Sequence, residues 1–329
     1  MSDIVEAIEN CIGNNAVLKG DSVKQRISVW GTNQPMEALA IVRPKNTDEV
    51  SSVLKLCNEQ SQPIVPQGGM TGLVKAGMPN SSEIAFSLER MNSIIDVDFD
   101  TATMTVEAGV TLQEAQEAAD AHGLMLPLDL GARGSATIGG NLSTNAGGNR
   151  VIRYGMTREM VLGVEAVLAD GTILSSLNKV LKNNTGYDLK QLFIGGEGTL
   201  GIITKAVLRL RPKPKSENTA FVSVNDFNNV VKLLRSLEVS LSGSLSAFEV
   251  MWSSAYRVLT GDHSHNSRPF PVEASHFVLV EALGGDPATD KDRFENALGE
   301  ALQSGLVTDA LVAQSESERK SFWNIRDDI

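Results

Sequence analysis

The chain has 329 residues, 42% of them hydrophobic and 21% charged, with a formal net charge of −11. That length predicts about two domains and ample core, and the acidic balance excludes a generic binder of nucleic acid or of an anionic membrane surface. Cys11 and Cys57 lie too far apart for a CxxC pair, which excludes a disulfide framework and a cysteine-based zinc site and fits a reducing compartment. No apolar run approaches the ~18 residues of a membrane helix, so no transmembrane segment is expected. The start, Met1-Ser2-Asp3-Ile4-Val5-Glu6, is acidic, unlike a signal or transit peptide. The expected location is cytoplasmic.

In chain order, residues 38–42 read as a strand. A helix over 46–60 follows, with Val50, Val53, Leu54 and Cys57 on one face and Asn46 with Glu49 as a capping pair. Residues 63–66 form a short strand that completes a strand–helix–strand unit. Strands are expected over 84–88, 94–97 and 103–107. Thr111 and Glu114 form a capping box for a helix through 121, with His122 at its end and Gly123 as its stop. Residues 160–169 and 172–177 form a hairpin over Asp170-Gly171, and 202–211 form another strand. Pro212 and Pro214 then mark a domain boundary. Beyond it the order is strand (220–224), helix (227–237), strands (244–250 and 277–281), helix (294–302) and strand (309–313), which is ferredoxin-like. Ser315 and Glu318 cap a last helix with Phe322, Trp323 and Ile325, and Ile329 ends the sequence inside that element.

Fourteen of the 29 glycines fall in three clusters, at 68–77, 131–148 and 195–201. Glycine costs entropy, so dense glycine marks unusual dihedrals or something pressed against backbone. Gly196-Glu197-Gly198-Thr199-Leu200-Gly201 matches G-x-G-x-x-G, but a β-branched run follows where a nicotinamide-binding fold needs a helix. Gly72 to Gly77 has the spacing of a P-loop, but Met78 stands at the lysine position. His263 and His265 sit in a polar loop without cysteine or a matching carboxylate pattern, and no metal ligand is assigned. The clusters instead fit a pyrophosphate: successive N–H groups around Gly68-Gly69 can form an anion nest. Residues 139–148 add amide and hydroxyl partners for a heteroaromatic ring edge and a ribityl chain.

The segments Pro66-Gln67-Gly68-Gly69-Met70-Thr71-Gly72, Pro127 to Ser135, Ile138 to Gly148, Arg153-Tyr154-Gly155, Asn184 to Leu189 and Gly196 to Ile203 resemble the FAD-binding domain of the vanillyl-alcohol oxidase/p-cresol methylhydroxylase flavoproteins. Within these the likeness is to the D-2-hydroxy-acid dehydrogenases for D-2-hydroxyglutarate, D-lactate and glycolate. Met70 stands where that family often carries Asn. The resemblance implies an α+β fold: a two-part FAD-binding domain over 1–213 (lobes 38–97 and 98–213), then a ferredoxin-like cap over 214–329 that is incomplete at its C-terminus.

It also implies residue roles. Pro66, Gly68, Gly69, Met70, Thr71, Gly72 and Leu73 take the FAD pyrophosphate. Leu130, Gly131, Ser135, Thr137, Ile138, Gly140, Asn141, Thr144, Asn145, Gly147 and Gly148 line the dinucleotide and flavin. Glu197, Gly198, Gly201 and Ile202 meet the adenosine side. The clusters hold no histidine or cysteine, so the flavin is expected to be non-covalent. A side chain at Gly69 or Gly140 is expected to block FAD while sparing the fold. Arg326 resembles the arginine that grips the substrate carboxylate, and its fork suits that group.

The implied activity is oxidation of a D-2-hydroxy acid to the 2-oxo acid, with electron-transfer flavoprotein or a quinone as acceptor and a possible homodimer. The general base is unassigned. The family's divalent metal, such as zinc, belongs to a later histidine-rich segment that this sequence lacks. An FAD-holding module without turnover and an alditol or aryl-alcohol oxidase remain alternatives.

Overall fold

The computed structural model describes residues 3–26, 34–261 and 263–328. Met1 and Ser2 of the acidic start, and the terminal Ile329, lie outside them. The chain packs as two compact units: residues 1–147 with 156–212, and residues 148–155 with 213–329.

The first unit opens with α1 (Asp3–Ile12), β1 (Val17–Leu18) and α2 (Asp21–Lys24), then β2 (Ala40–Val42), α3 (Thr47–Glu59), β3 (Ile64–Gln67) and β4 (Ile84–Ser87). Its first sheet has the order β1-β2-β4-β3, with β2 and β3 both parallel to β4. The expected strand–helix–strand unit is thus split, because β4 inserts between its two strands. Asn46 caps α3 by accepting from the Glu49 amide at 2.8 Å. Val50, Val53, Leu54 and Cys57 then bury against Ile84 and Phe86, with Ile4, Val5 and Ile8 of α1 in the same core. Burial pushes the Cys57 thiol up to about 11, which makes it an inert core residue.

The second sheet of this unit is antiparallel. It combines β5 (Ile94–Asp98), β6 (Thr103–Glu107), β8 (Val161–Val167), β9 (Ile173–Ser176) and β10 (Ile202–Arg209) in the order β5-β6-β10-β8-β9. β5 belongs here by pairing with β6, a correction to a first lobe running through residue 97. α4 (Leu112–Ala121) carries the expected capping box and ends at His122. β7 (Leu124–Met125) pairs with β11 (Arg211–Pro212). α5 (Ile138–Ser143) and α7 (Lys190–Phe193) complete the unit. α6 (Val151–Tyr154) lies in the 148–155 segment that packs with the second unit, a second correction to the expected boundaries.

The second unit comprises β12 (Ser216–Val224), α8 (Phe227–Ser240), β13 (Leu245–Trp252), α9 (Ser253–Leu259), β14 (His276–Gly284), α10 (Pro287–Gln303), β15 (Asp309–Val312) and α11 (Glu316–Asp327). The antiparallel order β13-β14-β12-β15 is that of the expected ferredoxin-like sheet. α8 and α10 cover one face through Leu233, Leu237, Phe294 and Leu298 against Val222, Val278 and Val280. On the other face Phe221, Phe277 and Leu279 pack with Tyr256, Phe270, Phe322 and Ile325.

One buried charge pair ties α3 to the second sheet. Glu165 of β8 is 8% exposed. Its Oε1 accepts from Thr47 at 2.6 Å, Thr204 at 3.0 Å and Lys205 at 2.9 Å. Burial alone would raise this carboxyl, but the hydrogen bonds from Thr47, Lys205 and Thr204, with the Lys205 charge, hold it below the usual range. A lowered folded-state pKa contributes stability above the unfolded carboxylate range, and that stability is lost as pH falls through the folded value. Glu165→Gln should therefore flatten the acid limb of stability against pH. At neutral pH it should cost about 1–3 kcal/mol by weakening charge-assisted bonds to a mostly buried lysine. Urea unfolding between neutral and acid pH measures both effects, and an unchanged acid limb would refute the assignment.

Candidate functional site

Three glycine-rich segments of the first unit meet around one cavity of about 460 Å³. The segment after β3 is folded back on itself by Gln67, whose Nε2 donates to the Gly77 carbonyl at 2.9 Å. Met70 in this loop has φ +55. The second segment carries α5, capped by Thr137 Oγ1, which accepts from the Gly140 amide at 3.2 Å. The third docks on α5: the Gly195 and Glu197 amides donate to Leu142 and Ser143 carbonyls at 3.0 and 2.9 Å. Gly198 has φ +77, and a Cβ there would lie 2.7 Å from Pro66 Cγ. β10 starts directly after this segment, as the rejection of a nicotinamide fingerprint requires.

Of the residues implied as FAD contacts, Pro66, Gly68, Gly69, Met70, Thr71, Gly72, Leu130, Gly131, Thr137, Gly140, Asn141, Thr144, Glu197, Gly198 and Ile202 line this cavity. Others do not. Leu73 is 71% exposed, and Ile138 is a core residue at 2%. Asn145 Oδ1 accepts from the Arg158 amide at 3.0 Å. A Cβ on Gly201 would lie 2.8 Å from the Val167 carbonyl. Gly147 is absent from the cavity wall, and Gly148 packs with the second unit. Ser135 lines a second cavity of about 570 Å³ that shares the Gln67–Met70 backbone. There Glu89 is held below the usual carboxylate range: burial would raise it, but hydrogen bonds from Arg26 and Arg43 prevail.

Gly139, Ser143 and Ala146, from the 139–148 segment expected to supply partners, also line the first cavity, as do Lys75 and Gly77, to which no role had been given. Lys75 was legible as the one cation inside the first glycine cluster.

Three features of the wall fit FAD. First, Asn141 is 5% exposed and its Nδ2 is buried with no hydrogen-bond partner. A buried donor left unmade costs about 1–3 kcal/mol, so an acceptor on a bound ring would relieve it. Second, among the described residues no protein acceptor takes the backbone N–H of Gly69, Met70, Thr71 or Gly72. Such amides can act as donors to a pyrophosphate. Third, a Cβ on Gly72 or Gly131 would meet nothing within 4 Å, and neither has a positive φ. Protein packing gives no reason for glycine at these two wall positions, whereas space for a ligand does. No histidine or cysteine is among the lining residues.

Arg326 lies in the second unit, on α11. This helix crosses three adjacent strands, and each supplies a glutamate to one of its turns. Arg319 pairs with Glu217 of β12. Trp323 Nε1 donates to Glu281 of β14 at 3.1 Å, and Arg326 Nε donates to Glu249 of β13 at 2.8 Å. Positions 319, 323 and 326 share one helix face. Their span of about 10.5 Å matches two strand spacings of about 4.8 Å each. Glu281 is 1% exposed and also accepts from Arg150 at 3.0 Å and Ser246 at 2.9 Å. Arg326, implied by the resemblance to grip a substrate carboxylate, is thus already paired on its Nε side.

Residues 38–176 match the FAD binding domain family, and residues 213–329 match the C-terminal domain of FAD linked oxidases. The chain is 34% identical over 333 residues to a D-2-hydroxyglutarate–pyruvate transhydrogenase of Saccharomyces cerevisiae, covering 100% of this chain and 67% of that protein. The chain belongs to the FAD-linked oxidase and dehydrogenase family. It is also 42% identical over 337 residues to a probable mitochondrial D-2-hydroxyglutarate dehydrogenase of Oryza sativa (100% of this chain, 59% of that protein). Against the Bos taurus mitochondrial D-2-hydroxyglutarate dehydrogenase the figures are 38% over 328 residues, covering 99% and 60%. The chain thus spans about three fifths of these two relatives. Among solved structures, an alkyldihydroxyacetonephosphate synthase superposes with a TM-score of 0.78 at 19% identity, over 100% of this chain and 66% of that one. Substrate-bound p-cresol methylhydroxylase gives 0.76 at 19%, over 98% and 68%. These likenesses establish the fold as the p-cresol methylhydroxylase type.

The family relatives overturn the cytoplasmic expectation, since the rice, bovine and other named D-2-hydroxyglutarate dehydrogenases are mitochondrial. The acidity of the first six residues tests for one kind of address and does not fix where the fold works. No helix among the described residues is long and apolar enough to cross a membrane.

The glycine geometry separates packing from ligand space. Gly69→Ala should destabilise the protein even without FAD, because its Cβ would fall 1.8 Å from the Ser135 carbonyl oxygen. This corrects the expectation that a side chain there spares the fold. Gly72→Ala and Gly131→Ala should leave apo-protein stability within about 0.5 kcal/mol while weakening FAD binding about tenfold or more. Thermal melts and FAD titration decide, and wild-type FAD affinity in both variants would remove the ligand from that side of the loop.

Proposed function

We propose that this chain forms the FAD-holding and carboxylate-holding part of a dehydrogenase that oxidises a D-2-hydroxy acid to the 2-oxo acid. D-2-hydroxyglutarate is the first candidate, and D-lactate or glycolate the next. The observation that carries the proposal is a cavity with an unmade Asn141 donor in a chain 34–42% identical to proteins named for D-2-hydroxyglutarate. The free amides of residues 69–72 would hold the pyrophosphate, and Asn141 would donate to the flavin ring edge. FAD, when bound, supplies the acceptor for the C2 hydride. The absence of histidine and cysteine from the cavity wall supports non-covalent binding.

Arg326 would take the substrate carboxylate. Its Nη1 lies 3.7 Å from Asp327, and among the described residues no partner takes Nη2. Nη1 has only the longer Asp327 contact, which leaves the Nη edge to a further carboxylate. The hydroxyl proton needs a base or a metal. Among the described residues no group of three His, Cys, Asp or Glu could hold a metal ion. The resemblance assigns that work to the family's histidine-rich segment, and the residues of the cavity and Arg326 would bind and orient. The same observation favours a second reading, an FAD-holding module without turnover. In either case the electrons would leave to an acceptor such as electron-transfer flavoprotein or a quinone.

Anaerobic mixing of the FAD-loaded protein with each D-2-hydroxy acid tests the proposal. Loss of the flavin's visible absorbance supports a dehydrogenase, and binding without reduction supports the module. A chain that takes up no FAD refutes both. Arg326→Ala should weaken D-2-hydroxyglutarate binding by about 2–4 kcal/mol, the scale for truncating one partner of a desolvated charge pair. Arg326→Lys should recover only part, since an ammonium lacks the fork. Unchanged binding in Arg326→Ala would place the carboxylate elsewhere.

A further inference from the structure

The three glutamates under α11 are not equivalent. Glu281 is buried and takes donors from Arg150, Ser246 and Trp323, so its lone pairs are largely committed. Glu217 pairs with Arg319, a residue whose pKa is lowered by burial and by the Arg150 charge. These two contacts close on themselves and hold the helix to the sheet. The third is open. Glu249 and Arg326 are both partly exposed, at 26% and 29% of their side chains, and the pair uses only the guanidinium Nε.

We infer that Glu249 is a positioning residue for carboxylate recognition: by taking Nε of Arg326 it fixes the plane of the guanidinium and turns the Nη edge outward for the substrate carboxylate. This rests on the proposed role of Arg326. A planar fork recognises a carboxylate through two parallel N–H bonds, and its gain in selectivity depends on being held in one plane beforehand. An arginine on the exposed last turn of a helix has several rotatable bonds and loses rotamer freedom when it is ordered. A carboxylate on the underlying strand meets that ordering cost in the folded protein, before substrate arrives. The arrangement also sets specificity. With Glu249 at Nε and Asp327 3.7 Å from Nη1, the Arg326 charge is countered, so a ligand is held for the geometry of its two oxygens more than for its charge. A carboxylate offers two good acceptor oxygens to the fork, whereas its methyl ester offers one.

The test is a double-mutant cycle on the FAD-loaded full chain, read by calorimetric binding of D-2-hydroxyglutarate and of its C1 methyl ester. Glu249→Ala should weaken binding of the acid at least tenfold and leave the ester within about twofold. Thermal stability and FAD content should not move. Glu249→Gln, which still accepts from Nε, should recover the acid to within about threefold of wild type. In an Arg326→Ala background, Glu249→Ala should add no further loss. If the acid weakens in Arg326→Ala but not in Glu249→Ala, Glu249 has no positioning role and the reading of Arg326 stands. Equal losses for acid and ester, additive losses in the double variant, or no rescue by glutamine would make Glu249 merely structural and overturn the inference. Acid binding unchanged by Arg326→Ala, or absent in the wild type, overturns the carboxylate reading and this one with it.

Discussion

Close backbone-to-backbone approach is the constraint on which the first unit depends. Three segments far apart in sequence converge near Gly68, Gly69 and Gly198, where a single methyl group would crowd the Gly140 Cα, the Ser135 carbonyl or the Pro66 ring. Removing side chains there lets α5, the end of β3 and the turn before β10 share one wall. Gly72 and Gly131 are glycine for another reason, since a methyl group at either would meet empty space. The same residue type thus does two jobs in one loop system. Only the three-dimensional neighbours tell them apart.

This construction answers an electrostatic problem. The chain carries a net charge of −11, and its family's cofactor contains a pyrophosphate. The long-range field therefore opposes binding, and attraction must come from short-range donors at fixed positions. Peptide N–H groups held by the loop would serve this purpose without adding mobile charge. The Gln67 bond to the Gly77 carbonyl supplies the rigidity, and Lys75 on the same wall is the one lysine among the lining residues.

Much of this was legible in the sequence, for identifiable reasons. Local rules set the helix ends: Asn46 with Glu49, Thr111 with Glu114 and Ser315 with Glu318 all cap as their spacing predicts. The ferredoxin-like order followed from alternating patterns long enough to count. What escaped was non-local. The insertion of β4 between β2 and β3 depends on sheet pairing, which no single segment encodes. α5 hid because Ile138-Gly139-Gly140-Asn141 has poor helix propensity, yet hydrogen bonds from the Ile138 and Gly139 amides to the Val110 and Ala108 carbonyls hold its start in place. Glycine density located the wall, and the resemblance assigned contacts position by position, but neither said which neighbours face the cavity: Ile138, Asn145 and Gly201 do not line it, whereas Gly139 and Ser143 do. Glu249 is one acidic residue in a strand and carried no signal at all. Its meaning arises only when α11 lies across β13.

Under the proposed function the two units would meet two anions by different physical means. In the first, peptide dipoles without a partner among the described residues line a loop whose shape is set by missing side chains. In the second, a full positive charge is present but already countered by a neighbouring carboxylate. A free guanidinium would attract any anion. One that is paired through Nε offers a defined edge and little net charge, so geometry decides what stays. Both devices exchange raw attraction for preorganisation. That exchange suits an acidic protein, since a field strong enough to capture anions unselectively would have to overcome the surplus negative charge of the chain itself.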